Sequence, residues 1–92
     1  MVKIKGRSGM EHEFQGLDYT QEGLYVVDFY SRIKEEIPKP TEESPIIAFI
    51  IKMYDVGAKY GTLRVPKYLV EKAEKIVRDA PYRIKIEIEE ER

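Results

Sequence analysis

The apolar positions Val26, Phe29, Tyr30, Ile33 and Ile37 recur at helical spacing, while Asp28, Ser31, Arg32, Glu35 and Glu36 fall on the opposite arc. That separation predicts a helix between Asp18 and Pro38, with Asp18 or Thr20 as the cap and Pro38 as the stop. The β-rich run Leu24-Tyr25-Val26-Val27 inside it is the competing strand signal. Upstream, Val2 and Ile4 alternate with lysines, and Met10, His12 and Phe14 alternate with Glu11, Glu13 and Gln15. With Gly6-Arg7-Ser8-Gly9 between them, the two runs predict a β-hairpin over 1–7 and 10–16.

Downstream, three prolines between Pro38 and Pro45 mark a stiff loop. The run Ile46 to Tyr54 is apolar at successive positions until Lys52, which predicts a strand covered on both sides. Asp55-Val56-Gly57-Ala58 then turns the chain into an alternating strand over Tyr60 to Val65, so 46–65 is expected to be a second hairpin. Pro66 opens a second helix whose stripe is Leu69, Val70, Ala73, Ile76 and Val77, stopped by Pro81. In the last strand Tyr82, Ile84, Ile86 and Ile88 oppose Arg83, Lys85, Glu87 and Glu89.

The expected fold is α+β: a mostly antiparallel sheet of four or five strands with two helices on one face, in the order ββαββαβ. Residues 10–89 resemble the ferredoxin-like arrangement in order of elements, and a β-grasp-like layout would better accommodate the N-terminal hairpin. In a ferredoxin-like sheet the apolar strand 46–54 would lie at an edge, where an unpaired apolar strand is a liability that a homodimer would remove. Ninety-two residues suit one domain, here 1–92. No apolar run approaches the length of a membrane span, so the expectation is a soluble, cytoplasmic protein with no membrane partner.

Charged residues make up 36% of the chain, and Asn, Cys and Trp are absent, a bias in the direction of heat-adapted proteins. Without cysteine there is neither a disulfide framework nor a thiolate ligand set. The net charge of −1 is uneven. Residues 45–85 hold nine Lys or Arg against four Asp or Glu, a local +5 that could serve an anionic partner.

Candidate chemistry is sparse. His12 is the single histidine, and on a strand Glu11 and Glu13 point away from it, so the three do not converge on a metal. No phosphate-binding glycine motif occurs, and no pair of carboxylates has acid–base spacing. An acylphosphatase-like activity is discounted because the chain has no asparagine. The segment Lys59 to Val65 would occupy the place of the aromatic-bearing strand in an RNA-recognition motif, but only Tyr60 could stack on a base. A candidate anion or nucleic-acid patch comprises Lys52, Lys59, Tyr60, Arg64, Lys67 and Lys85. The leading expectation is a binding or assembly module, homodimeric or bound to another protein, with no catalytic residue, cofactor or metal; nucleic-acid or anion binding is the alternative.

Overall fold

The computed structural model describes residues 1–80 and 83–91. Its strands are β1 (Val2–Lys5), β2 (Glu11–Phe14), β3 (Gly16–Thr20), β4 (Gly23–Phe29), β5 (Tyr60–Val65) and β6 (Lys85–Glu90). Its helices are α1 (Tyr30–Glu36), α2 (Ser44–Val56) and α3 (Val70–Arg78), the last preceded by a 3-10 turn over Lys67–Leu69. The α+β class is as expected, but the order and pairing are not. β1 and β2 form a separate antiparallel hairpin, while the main sheet has the order β3-β4-β5-β6. β3 is antiparallel to β4, whereas β4, β5 and β6 run parallel to one another. The mostly antiparallel, two-helix sheet is therefore corrected to a mixed one with three helices, and its sequential strand order is neither ferredoxin-like nor β-grasp-like.

The helix expected over 18–38 is a β-hairpin followed by a short helix. Thr20 Oγ1 donates to the Gly23 carbonyl at 2.8 Å and closes the β3–β4 turn. Leu24, Val26 and Asp28 are buried at alternate positions of β4, with Tyr25, Val27 and Phe29 partly exposed between them. Only from Tyr30 does the period become helical, and Tyr30 and Ile33 are the buried residues of α1.

The strand expected over 46–54 is α2, so 46–65 is a helix followed by a strand rather than the expected hairpin. Thr41 and Ser44 exchange hydrogen bonds ahead of this helix: the Thr41 N–H donates to Ser44 Oγ at 3.0 Å and the Ser44 N–H to Thr41 Oγ1 at 3.2 Å. Pro45 fits the first turn, where its missing donor is not needed. Gly57 ends the helix at φ 78°, a left-handed conformation that glycine adopts without strain.

Three helices and the β1–β2 hairpin gather on one side of the sheet. Gly61 in β5 lets α2 approach closely, since a Cβ there would lie 2.8 Å from Met53 Sδ. Phe14 of β2 meets Phe49 of α2 edge to face, with ring centres 6.2 Å apart. Around them pack Val26, Ile33, Ile46, Leu63, Val65 and Leu69, all essentially inaccessible to solvent. The second expected helix forms as α3, but from Val70 rather than from Pro66, which instead precedes the 3-10 turn; the residue beginning the expected last strand, Tyr82, lies outside the described residues.

Candidate functional site

The six residues of the expected basic patch do not converge. Tyr60, Arg64 and Lys85 do share the sheet face turned away from the helices, because Gly61, Leu63 and Val65 alternate inward toward α2. Tyr60 and Lys85 are register partners, with Nζ 6.0 Å from the ring centre. Arg64 lies 5.5 Å over the Phe29 ring, and its Nε is 3.2 Å from Glu89 Oε1. Lys59 and Lys67 are exposed at opposite ends of β5, and Lys52 points into the core.

Lys52 belongs instead to a buried ion cluster that the sequence pattern obscured. Asp28, fully buried on β4, accepts hydrogen bonds from its neighbour Phe29 N–H at 2.9 Å and from Arg32 Nε at 2.6 Å through Oδ1. Its Oδ2 accepts from Arg32 Nη2 at 2.5 Å and Lys52 Nζ at 3.2 Å. Arg32 continues to the Glu13 carbonyl at 2.9 Å and to the Glu36 carboxylate, so one guanidinium ties β2, β4 and α1 together. Burial pulls the Lys52 ammonium below its usual range against the opposing pull of Asp28, whereas the hydrogen bonds Arg32 donates to Asp28 push its guanidinium up. Lys52 also lies 4.7 Å from the centre of the Phe14 ring. Every strong hydrogen-bonding position of the Asp28 carboxylate is occupied by protein, which gives this cluster the character of a structural staple. Arg32 at i+4 from Asp28 was its sequence signal, read as a solvated helix face.

A second cluster ties the hairpin to α2. Asp55 accepts from Ser8 N–H at 2.9 Å and Ser8 Oγ at 2.6 Å, and its Oδ2 is 2.6 Å from His12 Nε2. The ionised carboxylate only accepts, so His12 donates from Nε2. Those bonds, led by Ser8, lower the Asp55 carboxyl from the ordinary 3.8 to about 2. Ser8 and His12 both address the carboxylate, so neither activates the other in the manner of a nucleophile and its base. Among the described residues no group of three His, Cys, Asp or Glu is placed to hold a metal ion, and no helix is long and apolar enough to cross a membrane.

The outer side of α2 is unusual in another way. The exposed residues of this helix are Ile47, Ile51 and Tyr54, at 45, 52 and 51% accessibility, while its one lysine is buried. Spaced i, i+4 and i+7, they form a charge-free stripe on the surface of a highly charged chain. The chain matches no family model, no curated protein and no solved structure at a significant level.

Proposed function

We propose that this chain is a small non-enzymatic assembly module that pairs with a second copy of itself through the outward face of α2. The observation that carries the reading is the inverted pattern of that helix: Lys52 faces the core, and Ile47, Ile51 and Tyr54 face solvent. A helix apolar all round is one that expects cover on all sides, and a contiguous patch of a few hundred Å² marks an interaction site. A stripe with no charge neither selects nor repels a partner of either sign, and in a two-fold pair each Ile51 would pack on its own equivalent. The stripe alone is smaller than the roughly 800 Å² per partner of a standard interface, so a reversible dimer is the expected form.

Light scattering over a concentration series tests it: a mass that rises from monomer to dimer, and stays monomeric in Ile51→Glu, is the expected result. A monomer at all concentrations in the unaltered chain would overturn the reading. Nucleic-acid or anion binding through residues 52–67 has less support, since Lys52 is buried, Arg64 is paired with Glu89, and Lys59 and Lys67 stand at opposite ends of a strand.

A further inference from the structure

The second uncovered surface is the face of the main sheet opposite the helices. Parallel strands are ordinarily covered on both sides, yet here β4, β5 and β6 carry α1, α2, α3 and the hairpin on one side only among the described residues. The outward row of β4 is Tyr25, Val27 and Phe29, and Tyr60 and Thr62 stand beside it on β5. The Tyr25 hydroxyl and Thr62 Oγ1 are 2.5 Å apart, so the half-buried tyrosine reaches across to the neighbouring strand, where Thr62 is buried. The aromatic centre is flanked by charge on the outer strands: Asp18 on β3, and Lys85, Glu87 and Glu89 on β6. Two cations, Arg64 and Lys85, oppose three carboxylates, and both cations already lie over rings of the same face. At the carboxyl end of the parallel strands, a depression is lined by Phe29, Arg64 and the three successive carboxylates Glu89, Glu90 and Glu91.

We infer that this face docks a segment of a partner protein in which apolar side chains are flanked by lysine or arginine. An aromatic centre with a polar rim is the anatomy of a protein-recognition surface, and the rim's sign sets the partner's charge. A polyanion meets Asp18 and Glu87, while Arg64 is engaged by Glu89 and Lys85 lies over the Tyr60 ring, which argues against nucleic acid as the occupant. A second copy would set one net-negative face, two cations against three carboxylates, on another, and the stripe on α2 offers no cation to offset them. The proposal goes beyond self-association and concerns the opposite side of the molecule, so either can fail without the other.

The test is a nuclear magnetic resonance titration of the full chain with the peptide acetyl-Lys-Lys-Leu-Phe-Leu-Lys-Lys-amide, with its Glu-for-Lys counterpart and with oligothymidylate. Saturable shifts confined to the amides around Tyr25, Val27, Phe29, Tyr60 and Thr62, weakening as salt rises, are expected from the basic peptide alone. Affinity should fall about tenfold or more in Tyr25→Ala, and comparably in the Glu87→Lys, Glu89→Lys double variant, which leaves the buried side of the sheet intact. Binding should persist in Ile51→Glu. Absence of saturable binding, equal binding of the acidic peptide or oligothymidylate, or shifts mapping to α2 would each overturn the proposal.

Discussion

Lys52 reaches from α2 to Asp28 on β4 with its Nζ 3.2 Å from Oδ2, and neither side chain is more than 9% exposed. The pair is unequal. Asp28 has Arg32 as a second cation, whereas among the described residues Lys52 has Asp28 as its one carboxylate partner. Asp28→Ala leaves the buried Lys52 without its anion and takes from Arg32 its two-pronged partner, and should cost about 3–5 kcal/mol in urea denaturation. Lys52→Met keeps Asp28 paired with Arg32 and relieves a desolvated ammonium, so its cost should stay within about 1 kcal/mol. Equal losses in the two variants would contradict this asymmetry.

Asp55 gives the hairpin its acid sensitivity. Its carboxyl is held at about 2 against an ordinary 3.8, so the stabilisation is present above the ordinary value and is lost as pH falls from there toward 2. The β1–β2 amides should lose hydrogen-exchange protection over that window before the main sheet does. Asp55→Ala should abolish the step. Gly6→Ala should mimic the acid state at neutral pH, because a Cβ at Gly6 would stand 2.0 Å from Asp55 Oδ2.

Gly61 sets the distance between α2 and the sheet. A Cβ there would meet Met53 Sδ at 2.8 Å, Met53 Cε at 2.9 Å and Phe49 Cζ at 3.2 Å, all in a fully buried core. Gly61→Val should cost about 1–3 kcal/mol by overpacking, and Gly61→Ala less, with Met53 taking up the displacement. Thermal denaturation of the two variants measures the order.

Ile50 and Ile51 are neighbours with opposite duties. Ile50 is 5% exposed and Ile51 52%. Ile50→Ala should lose about 2–5 kcal/mol of monomer stability. Ile51→Ala should change it by no more than about 0.5 kcal/mol while weakening self-association. A large stability loss in Ile51→Ala at concentrations where the protein is monomeric would show that this side chain already has its cover within the chain.

The sequence disclosed the N-terminal hairpin, β5, α3 and most of β6, because the apolar period of each is undisturbed. It misled where a charge is buried. Asp28 on the inward row of β4 made the alternation Leu24, Val26, Asp28 look polar at its end, and Val26 and Phe29 then fell into phase with the true helix at Tyr30 and Ile33. Gly23, at φ 119°, was the overlooked sign of a turn inside the supposed helix. In α2 the inward Lys52 and outward isoleucines cancelled the 3.6-residue period, although Pro45 and Gly57 stood at the right places for a helix start and stop. Of the site, Tyr60, Arg64 and Lys85 were legible only as members of a six-residue patch that the structure splits, and Tyr25, Val27 and Phe29 were hidden by the same misassigned helix. Arg64's engagement with Glu89 depends on the β5–β6 pairing, which no local pattern encodes.

The sequential order β3-β4-β5-β6 also sets an expected order of assembly. β3 and β4 join across Gln21 and Glu22 alone and can pair as soon as both exist, whereas β4 and β5 are separated by the whole stretch from Tyr30 to Lys59. Loop closure over that distance is compensated only when α1 and α2 have packed. Until then the second edge of β4 is bare, and Asp28 stands in water beside Arg32, its near neighbour in sequence. On that expectation, the arrival of Lys52 on the same carboxylate would mark the moment at which the centre of the sheet closes and its core becomes dry.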